Sequence, residues 1–194
     1  MSDSESLRAG RGGDAVIAAT RAWLEKAVIG LKLCPFAKPA HDGGRVRYVA
    51  SDAETPEALL QELLRELETL AEADPAKLET TLLIHPRVLG DFLDYNDFLD
   101  VADAAIAELE LDGVMQVASF HPHYRFAGTG ADDIANFSNR SPYPTLHLLR
   151  EDSIARAVEA YPDTAKIFEK NIETLRRLGR EGWRKLGLDD DSEA

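Results

Sequence analysis

Apolar residues recur along the chain with two different spacings, which predict alternating helices and strands. A spacing of three and four residues is typical of amphipathic helices, whereas alternation or short β-branched runs are typical of strands. The helical spacing covers residues 14–31, 55–70 and 95–109, a segment around Ile154 and Val158, and a segment from Pro162 to Gly179. Strand patterns lie at residues 45–50, 80–84, 114–120 and 145–149. The predicted order is α-β-α-β-α-β-(long loop)-β-α-α.

Capping residues predict where the helices begin and end. Asp14 and Thr55 can cap helix N-termini, and Pro56 suits the first turn of the second helix. Pro162 opens the last helix in the same way, and Gly179 is positioned as its C-terminal cap. These signals predict distinct helices between the strands.

The alternation predicts an α/β fold, because a sheet buries its faces under the helices that connect its strands. We predict a single-domain α/β sandwich with a four-stranded mixed sheet and helices packed on it. Helices separate the first three strands, which favours parallel crossovers between them. The direction of the fourth strand stays open, since the long loop before it allows an antiparallel return or a crossover.

The length of the chain suits one domain. Its 194 residues are enough for a sizeable core and short for two domains. We predict a flexible N-terminal tail at residues 1–13, the α/β domain at 14–188 and an acidic C-terminal tail at 189–194. No apolar run approaches the ~18 residues of a membrane span, and the N-terminus lacks the apolar region of a secretory signal. A cytoplasmic protein without a membrane partner is therefore expected.

The charge and the cysteine content restrict the partners and the kinds of site that are expected. The net charge of −13 repels phosphate backbones, so no nucleic-acid partner is expected. The basic cluster within residues 176–185 is interpreted as the solvated face of a helix. Cys34 is the only cysteine, which excludes an internal disulfide and a multi-cysteine zinc site. Oligomeric state stays undetermined.

The polar segment at residues 121–144 is the expected place for chemistry. Long loops inside compact domains are usually functional or disordered, and its aromatic residues argue against disorder. His85 and His121 directly follow the second and third predicted strands, and ligands of open α/β sheets bind at the carboxyl ends of strands. If these strands are parallel neighbours, both histidines lie at one edge. An antiparallel fourth strand would add Asn139, Arg140 and His147 there.

Three kinds of chemistry stay open for these residues. Neutral imidazoles are common ligands of Zn or Fe, so His85, His121 and His147 are candidate metal ligands, with Asp132 or Asp133 as a carboxylate. In a metal-free site, His121, His85, Arg140 and a Cys34 thiolate are the candidate catalytic groups. Arginines can hold a carboxylate or phosphate, so Arg125, Arg140 and Arg150, with Asn139, are candidate ligand-binding residues.

Each candidate also has an ordinary structural interpretation. Histidines at strand ends can simply be hydrogen-bonded, and a lone cysteine between apolar neighbours is often a small buried residue. The arginines can serve solubility or form structural ion pairs.

Several longer strings resemble a known family. GLKLCPFA, LLIHPRVLGDFLDYNDFLD, QVASFHPHYRFAGT and NRSPYPTLHLLRE are similar to an uncharacterised, mainly bacterial family catalogued as domain of unknown function 1415, over residues 14–179. The resemblance implies a single cytosolic domain and no established activity. The family pattern reads FHPDY where this chain has His123, so His121 is the better candidate. The matching strings carry Cys34, His85, His121, Asn139, Arg140, His147 and Arg150.

Two classes of function follow from these observations. The first is an enzyme of unknown reaction, with a His/Asn/Arg-lined pocket at the strand ends, that acts on a small anionic molecule and in one variant depends on a divalent metal. The alternative is a non-catalytic module that holds a small ligand or a protein through residues 121–147. A third interpretation gives the loop a packing role only.

Overall fold

The computed structural model describes residues 3–160 and 166–188, and its centre is one four-stranded mixed sheet. The strands are β1 (Val46–Ala50), β2 (Thr80–Ile84), β3 (Met115–Phe120) and β4 (Thr145–Arg150), in the order β1-β2-β4-β3. β1 and β2 are parallel, and β4 is antiparallel to both β2 and β3. The predicted mixed sheet is confirmed. β2 and β3 point the same way without being neighbours, because β4 lies between them.

Helices pack on this sheet, and along the chain most strands are preceded and followed by a helix. They are α1 (Asp3–Trp23), which continues as a π-helix (Leu24–Ile29), α2 (Ala37–Asp42), α3 (Pro56–Glu72), α4 (Phe92–Glu108), a 3₁₀ helix (Ile134–Asn139), α5 (Glu151–Ala160) and α6 (Ile167–Arg184). In the described part of the chain, no helix is long and apolar enough to cross a membrane.

Local capping explains where two of the central helices begin. Thr55 Oγ1 accepts a hydrogen bond from Ala58 N at 3.2 Å, and Pro56 fills the first turn of α3, as predicted. α4 begins at Phe92, earlier than the predicted start at residue 95. The reason is that the Asp91 carboxylate accepts from the second and third amides of the helix and so caps it.

Other helix boundaries differ from the sequence expectation. α1 begins at Asp3, so Asp14 lies within it and is not its cap. Gly179 adopts φ 65° and ends a first helical segment, as predicted. A second segment follows it directly, so that α6 as a whole extends to Arg184. The short α2 was not predicted. Pro162 and the acidic tail lie outside the described residues.

The two faces of the sheet pack against different helices. Leu83 of β2 packs with the leucines of α3 and with Tyr95 of α4. Its neighbours Leu82 and Ile84 point the other way and pack with Val16 of α1. Because side chains alternate along a strand, this pattern decides which helix each polar residue of the sheet meets.

Candidate functional site

Two buried histidines meet at the carboxyl ends of β2 and β3, on the face covered by α4. His85 and His121 are both 0% exposed. Their rings contact the ring of Tyr95 in α4, with centroid distances of 5.7 Å for His85 and 5.0 Å for His121. The structure thus brings together the two histidines that follow parallel strands, although β4 separates those strands.

The hydrogen bonds of His85 fix its tautomer and leave one nitrogen unused. Nδ1 lies 3.0 Å from the carbonyl oxygen of Val88, and because a carbonyl only accepts, Nδ1 carries the proton. Nε2 therefore holds a lone pair, and it is buried without a hydrogen-bond partner among the described residues. Burial lowers the pKa of His85 to about 4, so the ring is neutral at pH 7. Leaving a buried acceptor unpaired costs about 1–3 kcal/mol.

His121 has the opposite tautomer. The amide of His123 donates to its Nδ1 at 3.0 Å, so the ring proton lies on Nε2 and is donated to the carbonyl oxygen of Leu89 at 3.2 Å. Burial lowers the pKa of His121 to about 4 as well. The pair therefore offers an unpaired acceptor on His85 and a donor on His121, both on neutral rings.

One short stretch between β2 and α4 covers both rings. The two carbonyl oxygens that accept hydrogen bonds from the imidazole rings belong to the neighbouring residues Val88 and Leu89. Leu89 adopts φ 57°, a left-handed conformation that costs a bulky residue about 1–2 kcal/mol. Strained backbone of this kind persists only where its surroundings hold it, and it concentrates at functional sites.

Tyr95 ties the helix that covers the site to the sheet. Its hydroxyl donates to the carbonyl oxygen of Thr145 at 2.9 Å and accepts from the amide of Phe120 at 3.1 Å. The hydroxyl therefore donates one hydrogen bond at the start of β4 and accepts one at the end of β3. Tyr95 is a positioning residue that holds α4 over His85 and His121.

Asn139 fixes the long loop to the edge of β3. Its carbonyl oxygen accepts from the amide of His121 at 3.1 Å, and its side-chain Nδ2 donates to the carbonyl oxygen of Ser119 at 3.2 Å. Asn139 therefore positions His121 through the backbone. Both polar atoms of its side chain are engaged within the protein, Nδ2 with Ser119 O and Oδ1 with Ser138 Oγ.

Two of the three candidate arginines bind backbone carbonyls. Arg140 donates to Tyr124 O at 3.3 Å and to Ala131 O at 2.6 Å, and so it holds the loop together. Arg150 donates to the carbonyls of Leu70 and Ala73 at the C-terminus of α3. Burial lowers the pKa of both arginines. Arg125 is exposed and makes no hydrogen bond or ion pair with the described residues.

His147 lies on the opposite face of the sheet from His85 and His121. In the strand register it pairs with Leu82 and Ala118, and its ring contacts Phe120 at 5.9 Å. Its Nε2 is 2.7 Å from Thr80 Oγ1, which itself donates to a carbonyl, so His147 donates to the threonine. Burial lowers the pKa of His147 to about 4.

Cys34 also lies away from the histidine pair. It is partly buried in the apolar cluster that includes Trp23 and Leu33, on the α1 side. Burial raises the pKa of its thiol, so the thiol is protonated at neutral pH. Its surroundings are those of a small packed residue.

The candidate metal ligands are divided between the two faces of the sheet. Within residues 3–160 and 166–188, no group of three or more His, Cys, Asp or Glu side chains is arranged to hold a metal ion. Asp132 accepts from Arg180 at 2.7 Å, and Asp133 caps the 3₁₀ helix through Ala135 N at 2.9 Å. Both carboxylates thus have structural partners.

Sequence reasoning missed two features of the site. The sequence predicts Tyr95 at the start of a helix, and its spacing from Phe98 and Ala102 puts it on the buried face, but no pattern indicates the hydrogen bonds of its hydroxyl. The left-handed conformation of Leu89 had no sequence signal, because leucine rarely adopts it.

The comparison with known proteins identifies a family and adds no activity. A family model described as "Protein of unknown function (DUF1415)" matches residues 15–185, and the chain belongs to this family. No curated protein and no solved structure matches the chain. Function is therefore argued from the histidine pair itself.

Proposed function

We propose that the chain is an enzyme in which His85 accepts a proton from a small molecule. One observation carries the proposal: a buried imidazole is held by Val88 in the tautomer that leaves its Nε2 lone pair without a partner. A general base needs this arrangement, since one nitrogen is oriented by a hydrogen bond and the other is free to receive the proton.

The neighbouring groups support proton transfer at this position. When Nε2 takes up a proton, the bond from Nδ1–H to Val88 O stabilises the charged ring, because hydrogen bonds from a cation are stronger than neutral ones. His121 is a neutral donor beside it, and its Nε2–H can polarise a substrate oxygen in place of Leu89 O. Two histidines in opposite tautomers thus take different roles, one as base and one as donor.

The substrate is proposed to be small and anionic. Arg140 and Arg150 donate to backbone carbonyls and are therefore engaged. We assign the binding of the anion to Arg125, which is exposed on the same loop as His121. A guanidinium binds a carboxylate or phosphate with two parallel hydrogen bonds. Arg125 would hold the anion while the reacting proton faces His85.

Deuterium exchange tests the proposed base. Mixtures of small carboxylates and phosphate esters are screened for binding by saturation-transfer NMR, and bound compounds are incubated with the protein in D₂O. The wild-type chain should catalyse incorporation of deuterium into a bound compound. The reason is that a base which removes a proton can return a deuteron taken up from D₂O. His85→Gln should retain binding and reduce the exchange rate about 10²-fold or more.

A charge variant separates binding from proton transfer. Arg125→Gln should weaken binding and leave exchange at saturation unchanged, whereas Arg176→Gln, an exposed arginine on α6, serves as the matched control. Undiminished exchange in a folded His85→Gln variant would remove this residue as the base.

A further inference from the structure

Residues 86–91 are arranged as a cover over the histidine pair, and we call them the 86–91 segment. The segment joins β2 to α4, and Arg87, Gly90 and Asp91 within it are exposed. The imidazoles directly beneath are 0% exposed. The segment thus has an exposed side, while its backbone contacts both buried imidazoles through Val88 O and Leu89 O.

Hydrogen bonds and apolar packing both hold the segment closed. Its backbone accepts one hydrogen bond from each imidazole, at Val88 O and Leu89 O. The side chain of Val88 is buried in the core cluster, Leu89 packs against that cluster, and Asp91 caps α4, all of which favour the closed state. Against this, the φ of 57° at Leu89 is strain that opening would release, and Gly90 has no neighbouring atom within 4 Å of an added Cβ.

Arg87 links the segment to the connection between β1 and α3. Its guanidinium lies 3.4 Å from Asp52 Oδ1 and 3.6 Å from Glu54 Oε1. All three side chains are largely exposed, so these ion pairs are weak and screened by salt. In the described structure, no other side-chain hydrogen bond or ion pair joins these two loops. The ion pairs of Arg87 are therefore the contacts of the closed segment that salt can weaken.

We propose that the 86–91 segment is a lid that opens to admit solvent and small molecules to His85 and His121, with Arg87 as its electrostatic latch. The purpose of opening, which is to bring a substrate to His85, rests on the proposed function; the opening itself does not. Three features together are typical of a gated site. They are the unpaired acceptor of His85, the strained backbone of Leu89 and the salt-sensitive ion pairs of Arg87.

Labelling of histidines by diethyl pyrocarbonate measures the opening directly. The reagent modifies accessible, unprotonated ring nitrogens, and peptide mapping by mass spectrometry gives a separate rate for each histidine. At neutral pH and low ionic strength, Arg87→Gln should raise the rates at His85 and His121 about two- to fivefold. In about 1 M NaCl the wild-type rates should approach those of the variant, because salt screens the latch.

The chain contains its own controls. His123 is exposed and reports the activity of the reagent, and His147 on the other sheet face reports unfolding of the whole domain. Arg176→Gln removes the same charge far from the latch and should leave all rates unchanged. His85 rates that are equal in wild type and Arg87→Gln would overturn the lid. Absence of labelling at His85, or labelling of His85 only at the rate of His147, would overturn it too.

The outcomes separate the two proposals. Faster labelling in Arg87→Gln, together with unaffected deuterium exchange in His85→Gln, would keep the lid and remove the base. Equal labelling, with exchange lost in His85→Gln, would keep the base and remove the lid.

Discussion

At His85 the two ring nitrogens have different environments, and this difference is the basis of the functional argument. Nδ1–H is bound to Val88 O, while Nε2 has no partner in the described structure although it is buried. A structural histidine would normally satisfy both nitrogens, because an unpaired buried acceptor is unfavourable. His121 beside it satisfies both, through Leu89 and His123. This contrast is the reason for which we propose His85, and not His121, as the base.

The lowered pKa values predict how stability depends on pH. Burial lowers the pKa of His85 and of His121 from 6.5 to about 4, so between these values the unfolded chain binds more protons than the folded one. The two histidines contribute fully to the free energy of unfolding above about pH 6.5. This contribution is lost as the pH falls towards 4, by up to about 1.4 kcal/mol per pH unit for each histidine. Urea unfolding between pH 7.5 and 4.5 measures this slope.

A double variant tests whether these two residues cause the slope. His85→Gln/His121→Gln should have a flatter dependence of unfolding free energy on pH than the parent chain, with His147 supplying part of the remaining slope. An identical slope in both proteins would show that the two imidazoles are not buried in their neutral forms.

At the level of secondary-structure elements, Arg150 connects β4 to the C-terminus of α3. The last carbonyls of a helix have no partner within the helix, and Arg150 donates to those of Leu70 and Ala73. Arg150→Met should lower the free energy of unfolding by about 2–3 kcal/mol, since bonds from a charged donor are lost and carbonyls are left unpaired. Urea denaturation checks this value. Arg156→Met, an exposed residue of α5, is the control, and equal losses in the two variants would contradict the capping role.

Most elements follow from local signals, and the differences have physical causes. The sequence predicts both the strand at residues 80–84 and the Thr55 cap of α3, because each depends on neighbouring residues only. The start of α1 was missed, because Gly12 and Gly13 disfavour helix by propensity, whereas in the fold α1 continues through them and passes close to Ala50 of β1. Tertiary packing there overrides propensity.

The site was harder to predict, since its geometry depends on the order and faces of the strands. The sequence placed His85 and His121 at strand ends, which was enough to expect them at one edge. It did not reveal that β4 inserts between β2 and β3. It also did not reveal the register of β4, which places His147 opposite Leu82 and so on the other face. Arg150 donates to a carbonyl of α3 that is distant in the chain, and no local sequence pattern predicts this contact.

At the scale of the whole molecule, the sheet is covered on both faces and the two faces differ in chemistry. The α1 side holds Cys34 and His147 among apolar and hydrogen-bonded groups. The α4 side holds the histidine pair, which the 86–91 segment contacts through Val88 O and Leu89 O. The proposed reaction thus occupies one edge of one face, and the rest of the fold orients it through Tyr95 and Asn139.

The tautomers of the two buried histidines test the central claim most directly. Long-range ¹H–¹⁵N NMR spectra of protein labelled with ¹⁵N-histidine distinguish the tautomers and the protonated ring, and His85→Gln and His121→Gln assign the signals. At pH 7 we predict a neutral His85 with its proton on Nδ1 and a neutral His121 with its proton on Nε2. A protonated His85, or a proton on its Nε2, would contradict the account.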